Sequence, residues 1–513
     1  MFESAELHHK ISKSQYSKEV PQLREKLLEL QFELQQHKER SVLIVIAGVD
    51  GAGKGETINL LNAWMDPRTI ETTAFTQAQG HEEAMPAFWR YWQALPERGR
   101  IGIFFDSWYS DAIEARARRR LDAAAYDARI QAIINFENML HQESVLILKY
   151  WFHLSRAEQK SRLDKLAASP RSSWRVSEQD WYRHRHYSEY RSAAEHCLRL
   201  TSTGDNPWVI IDGSQEAYRN LSVGRHLSDA LGQAQNNSHP QRRVQAPALL
   251  EAVDGRNLLN MLKLRQRLSK QDYKAQLEDW QGRLNQLLRE PAFQKDHALV
   301  VVFEGNDAAG KGGSIRRITQ ALDARHFRVV PIAAPTPEEA AHPYLWRFWR
   351  HLPHRGRVTI FDRSWYGRVL VERIEKFCSP ADWMRAYDEI NQFEHQLAEK
   401  RIIVVKFWLA ISKEEQARRF EEREQTGFKR FKITAEDWRN RERWDDYVVA
   451  VNDMVDRTST QTAAWTLIEA NNKYFARIKI LRSLCEQVES VLARQNEGKA
   501  GKVAKTDKSR RMR

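Results

Sequence analysis

Hydrophobic residues along the chain fall into short runs set between longer amphipathic stretches. Val42-Leu43-Ile44-Val45-Ile46 and Leu299-Val300-Val301-Val302-Phe303 are too short for helices and rich in β-branched residues, which predicts buried strands. Tyr273, Leu277, Trp280, Leu284 and Leu287 recur at the spacing of one buried helical face, and Tyr16, Leu23 and Leu27 keep the same register earlier in the chain. Val358-Thr359-Ile360-Phe361 and Ile402-Ile403-Val404-Val405-Lys406-Phe407 read as further strands with helical stretches between them. Strands alternating with helices predict parallel βαβ units covered on both faces, an α/β fold.

This pattern occurs twice. Gly48-Val49-Asp50-Gly51-Ala52-Gly53-Lys54-Gly55 returns 257 residues later as Gly305-Asn306-Asp307-Ala308-Ala309-Gly310-Lys311-Gly312. At that offset, without a gap, Trp89-Arg90-Tyr91-Trp92 meets Trp346-Arg347-Phe348-Trp349, and Asp180-Trp181 meets Asp437-Trp438. A chain of 513 residues is too long for one core, and two units of about 250 residues fit the upper range of single domains. The expected division is 1–233 for the first unit, a polar, Pro-containing linker at 234–246, 247–495 for the second unit, and a basic tail at 496–513. In the tail Lys499, Lys502, Lys505, Lys508, Arg510, Arg511 and Arg513 face only Asp507, so it is expected to be disordered, serving either solubility or the gathering of polyanions.

The net charge of +13 points to an anionic partner: nucleic acid, polyphosphate or nucleotides. Three scattered cysteines show neither a disulfide framework nor metal-ligand spacing. Without an apolar stretch of about 18 residues or a leader-like start, the chain is expected to stay off the membrane and in the cytoplasm.

The candidate chemistry follows the first strand of each repeat. Strand, glycine loop, lysine and helix turn backbone N–H groups and a helix N-terminus towards phosphate, while Lys311 reaches the terminal phosphoryl group. Gly305, Gly310, Gly312 and Gly313 let the backbone approach closely. The usual Gly-Lys-Ser/Thr ending is missing, since Gly312 and Gly313 follow Lys311 and the first hydroxyl is Ser314. Asp307 would repel phosphate unless a cation lay between them, so it is a candidate magnesium ligand; the alternative is a loop aspartate satisfying backbone N–H groups. Asp362 follows a strand where a second metal-holding acid belongs, unless it caps a helix, and Arg363 offers a planar fork to phosphate oxygens. Arg418, Arg419, Arg423, Lys429, Arg430 and Lys432 form a cationic stretch able to close over a polyanion, or simply a solvated face. Trp346, Trp349 and Trp365 have aromatic or tryptophan counterparts in the first repeat and are expected in the core rather than as base-stacking platforms.

Gly305 to Gly313, Phe361-Asp362-Arg363-Ser364-Trp365-Tyr366-Gly367-Arg368 and the basic stretch after Ser412 together resemble the polyphosphate kinase 2 family, over nearly the whole chain and twice. The resemblance implies two tandem P-loop kinase-like αβα sandwich domains with helical lids. It also implies magnesium-dependent transfer of the terminal phosphoryl group of inorganic polyphosphate to AMP. Implied roles are Lys311 as phosphate binder, Asp307 and Asp362 as magnesium-linked and acceptor-orienting acids, and Arg363, Arg368 and Arg423 as clamps, with Lys429 and Lys432 among the phosphate contacts. Nucleic acid is not expected as a partner, and a homo-oligomer remains open. Rival readings are a polyphosphate-dependent ADP or GMP kinase, an ATP-using nucleotide kinase, and a non-catalytic polyanion binder.

The ungapped comparison sets Asp362 and Arg363 against Phe105 and Asp106, Gly313 against Glu56, Arg368 against Asp111 and Arg423 against Leu166. Lys429, Lys473 and Arg477 likewise become Ser172, Glu216 and Asn220. A one-residue slip would move Asp106 into the acid position but lose the arginine. The changes at the basic positions remove cations and several add anions where phosphate charge must be neutralised, so the first repeat is expected to lack activity, although it keeps Asp50 and Lys54. Its role is then structural, or the docking of polyphosphate.

Overall fold

A computed structural model describes residues 1–236, 257–427, 431 and 433–511. Each repeat builds one sheet of five parallel strands. The first contains β1 (Ser41–Gly48), β2 (Ile70–Ala74), β3 (Ile101–Phe105), β4 (Val145–His153) and β5 (Trp208–Asp212), in the order β2-β3-β1-β4-β5. The second contains β6 (Ala298–Gly305), β7 (Phe327–Pro331), β8 (Val358–Asp362), β9 (Ile402–Ala410) and β10 (Trp465–Glu469), in the order β10-β9-β6-β8-β7, the same arrangement from the other edge. β1 and β6 are central and buried on both faces, which is why they read as unbroken apolar runs. Strands lie on both sides of β6, so its carboxyl end opens at the switch point where α/β sheets bind ligands.

The helices Lys13–His37 and Lys270–Arg289 start at Ser12 and Ser269, whose hydroxyls accept from Gln15 and Asp272 N–H groups. Their apolar faces pack as the periodicity predicts, with Leu27 in one core and Leu284 and Leu287 in the other. Trp346, Trp349 and Trp365 are buried. The residues group into two compact units that follow the repeats, except that Pro335–Arg347 groups with the first and Glu83–Pro86 with the second. Residues 237–246 of the expected linker lie outside the described residues. The final helix, Lys473–Arg511, runs on into the tail expected to be disordered; the tail has no proline, and its lysines and arginines are good helix formers that outnumber Gly498 and Gly501.

Behind the turn that leaves β8, a buried ion pair holds the second repeat together. Lys406 Nζ lies 2.8 Å from Glu394 Oε2 and donates to the Thr458 carbonyl, while Trp365 and Tyr366 donate to Glu394 Oε1. The first repeat keeps the same set as Lys149, Glu137, Thr201, Trp108 and Tyr109. Because both repeats have it, whatever their phosphate residues, its role is architectural. Glu394→Gln is expected to cost about 3–5 kcal/mol by leaving a buried ammonium uncompensated, read as a lower melting temperature of the full chain.

Candidate phosphoryl-transfer site

The site starts where β6 becomes the glycine loop. Gly305 has φ 146°, and a Cβ there would run into the backbone of Leu409 on β9. Gly310, φ 108°, caps the helix Lys311–Thr319, whose free N–H groups therefore face the loop. Lys311 Nζ donates to the Gly305 carbonyl at 2.6 Å and the Asn306 carbonyl at 3.4 Å, folding the ammonium over the loop. Ser314 is buried and donates to the Gly310 carbonyl, so its hydroxyl is engaged within its own helix. The space beside Gly312 is open, and Gly313 lies against the Arg477 guanidinium.

Asp307 holds the loop to two other elements. Its Oδ1 accepts from Arg363 Nη2 at 3.2 Å, and its Oδ2 accepts from Asn440 Nδ2 at 2.9 Å. Tyr447 in turn donates to Asn440 Oδ1. Arg363 has φ 64°, an uncommon conformation for a non-glycine residue, and its N–H donates to the Phe303 carbonyl on β6. Asp362, which ends β8, lies opposite Phe303 in the strand pairing. The cleft, about 600 Å³ including its opening to solvent, is lined by residues that include Glu304, Gly305, Asp307, Arg363, Asn440 and Tyr447.

Glu304 is buried and accepts from Ser364 Oγ at 2.8 Å. Burial pushes its carboxyl up to about 7, against the opposing pull of Ser364 and Lys311. Between pH 4.5 and 7 the folded chain keeps a proton here that the unfolded chain has lost, so stability falls as pH rises, by about 3 kcal/mol across the window. In Glu304→Gln that slope is expected to vanish, which unfolding midpoints of variant and parent at pH 5 and pH 8 would measure.

The predicted residues divide into two groups. Gly305, Asp307 and Arg363 line the cleft; Gly310, Lys311, Gly312 and Gly313 form the loop and helix start, and Asp362 ends the neighbouring strand. Arg368 lies outside the cleft lining and pairs with Glu372 at 2.9 Å, and Arg423 is in the last turn of the helix Lys413–Glu424, also outside the lining. The expected basic lid is partly accounted for differently. Arg418 pairs with Glu415, and Arg419 is buried, pairing with Glu415 and donating to the carbonyls of Ala308, Ala309, Ala470 and Asn471. Acids one helical turn away on the same helix take up these cations. Lys429, Arg430 and Lys432 lie outside the described residues. Glu304, Asn440 and Tyr447 were missed by sequence reasoning. The signal for Glu304 was a lone acid closing an apolar strand; Asn440 and Tyr447 come from distant helices with no local motif.

The first repeat forms the same cleft with other charges. Asp106 has φ 58° and its N–H donates to the Ile46 carbonyl, matching Arg363 and Phe303 without a gap, so Phe105 stands in the acid position. Lys54 Nζ donates to the Gly48 carbonyl and lies 3.7 Å from Asp50 and 3.9 Å from Asp106. Arg183, in the place of Asn440, pairs with Asp50 at 3.3 Å and Glu114 at 3.2 Å, and Ala47 replaces Glu304. This cleft, about 700 Å³, also takes in Phe2 from the chain's start, stacked on His153.

The model of the family described as Polyphosphate kinase 2 matches residues 10–239 and 267–496, two spans offset by the same 257 residues. The chain belongs to the polyphosphate kinase 2 family. It is 54% identical over 96% of its length, and 99% of the relative's, to a Pseudomonas aeruginosa protein named polyphosphate:AMP phosphotransferase. An Acinetobacter johnsonii protein of the same name is 38% identical over 90% of this chain and 95% of its own. The crystal structure of a Pseudomonas aeruginosa PA01 protein described as polyphosphate kinase 2 superposes with a TM-score of 0.86 at 52% identity, covering 97% of this chain and all of that one. The tandem polyphosphate kinase 2 architecture, two parallel-sheet α/β units, is therefore that of this chain.

Proposed function

We propose that this polyphosphate kinase 2 protein moves the terminal phosphoryl group of inorganic polyphosphate to AMP, giving ADP, in the cleft of its second repeat. The observation that carries the choice of repeat is the Asp307–Arg363–Asn440 cluster over an intact lysine loop, against a first repeat whose lysine faces two acids. The acceptor rests on the names of full-length relatives.

Polyphosphate enters along the glycine loop, where backbone N–H groups and Lys311 meet its terminal oxygens. Arg363, anchored by Asp307, faces the transferring group and offsets charge spread over its equatorial oxygens. A phosphate nucleophile is already ionised at neutral pH, so no strong base is needed. The donor set fits magnesium, which typically takes one or two carboxylates plus phosphate oxygens and water. Asp307, with lone pairs beyond its two hydrogen bonds, and Asp362 would hold it. Bound there, the ion would neutralise charge on the transferring phosphoryl group. Among the described residues no helix is long and apolar enough to cross a membrane, and nucleotide chemistry of this kind fits the cytoplasm.

The test is product formation from AMP and long-chain polyphosphate with magnesium and no ATP, beside ADP as acceptor. ADP from AMP is the expected result. ATP from ADP alone would transfer the reading to an ADP kinase, and no product from either would overturn it.

A further inference from the structure

The loop of the first repeat carries a buried arginine that no side chain pairs with directly; Glu56 and Glu216 favour its charge only from a distance. Arg219, on the helix Glu216–Asn236, is 3% exposed and its Nε has no hydrogen-bond partner. Its guanidinium covers Gly53, the left-handed cap of the helix Lys54–Trp64; a Cβ on Gly53 would overlap it. In the second repeat Ala476 replaces the arginine, and nothing lies within 4 Å of the same point on Gly310. A second guanidinium is close enough to repel it: Arg162, which donates to the Gly51 and Ser214 carbonyls. Its counterpart Arg419 is paired with Glu415, but the matching Glu158 is turned to Ser155 and His8. Among the described residues neither Arg162 nor Arg219 has a carboxylate within 4.0 Å. Lys54, by contrast, already has Asp50 and Asp106.

Two guanidiniums against the positive end of a helix repel one another and the helix dipole; Glu56, in the first turn of that helix, offsets this only in part, and a buried cation without a close anion is destabilising. We propose that the first repeat's loop is a separate, non-transferring site for a phosphate-class anion at the helix N-terminus Gly53–Gly55, with the Arg219 guanidinium swinging off Gly53 to pair with it and Arg162 behind the loop. The anion is an internal phosphoryl group of polyphosphate or free phosphate. The choice of polyphosphate rests on the proposed function; the site itself does not. A chain anchored there would be bound without presenting a transferable end to Arg363.

The experiment is calorimetric titration of the full chain carrying Lys311→Ala, which weakens the second loop, with inorganic phosphate and separately with long-chain polyphosphate, in the absence of nucleotide. Adding Arg219→Gln is expected to weaken binding at least tenfold, and Arg219→Lys to restore it to within about threefold. Loss for polyphosphate alone assigns the site to the chain, and loss for both assigns it to a single phosphate group. Unchanged binding of both probes overturns the proposal and makes Arg219 a plug over the loop. Should the glutamine variant fail to fold, the unsubstituted chain crystallised with tungstate, an electron-dense phosphate analogue, decides: density beside Arg219 supports the site, and density only at the second loop overturns it. Because the readout is binding, failure of AMP phosphorylation would leave this result standing.

Discussion

Lys311→Ala is expected to lower polyphosphate-dependent ADP formation about a thousandfold, while Asp50→Asn leaves it within about twofold. A unit charge 4 Å from a phosphate oxygen is worth about 4 kcal/mol at an effective dielectric of 20, and 1.36 kcal/mol is one decade in rate, so losing the lysine removes about three decades. Lys311 is positioned to deliver that charge, since among the described residues it is hydrogen-bonded only to the carbonyls of Gly305 and Asn306. Lys54 has the same loop geometry, but its charge is opposed by Asp50 and Asp106, and the cleft beside it offers Ala47 and Phe105 where the second repeat has Glu304 and Asp362. Initial rates at saturating AMP in both variants test this. If Lys311→Ala kept substantial activity that Lys54→Ala then abolished, transfer would belong to the first repeat.

Central elements were legible in the sequence because their burial leaves a one-dimensional trace. β1, β6 and β9 are covered on both faces and read as apolar runs, and the glycine loop is a local motif whose residues adjoin one another. The outer strands β7 and β10 were not found: Phe327–Pro331 is mostly exposed at an edge and mixes Arg328 with Val329, and Trp465–Glu469 is broken by Thr466 and ends in an acid, so neither presents a run. At the site, Asp307, Lys311, Asp362 and Arg363 were found because they follow strands directly. Asn440 arrives from 133 residues away, and only the fold brings it to Asp307. Arg368 and Arg419 show what local charge leaves out: each meets an acid four residues away, Glu372 and Glu415, in an ion pair that the cationic pattern alone does not reveal.

Exchanging two residues between repeats should switch off the second one without unfolding it. The first repeat places Asp106 where the second has Arg363, and Arg183 where the second has Asn440, on matching backbones: φ is 58° at Asp106 and 64° at Arg363. In Arg363→Asp/Asn440→Arg the new arginine is expected to pair with Asp307 as Arg183 pairs with Asp50, keeping the loop tied to the helix Ala435–Glu442. The charge is then delivered to the loop aspartate from the helix side, and an acid stands where the transferring phosphoryl group needs a cation. An arginine at that point of a phosphoryl transfer is worth about 10³–10⁵ in kcat, and the double variant is expected to lose that much while its melting temperature stays within about 5 °C. Arg363→Asp alone should lose the same activity but melt lower, because Asp307, still held by Asn440, then meets a second acid without the guanidinium that balanced it. A double variant with more than a tenth of the parent rate would show that Arg363 only braces Asp307, and that the division between the repeats rests on Asp362 and Glu304 instead.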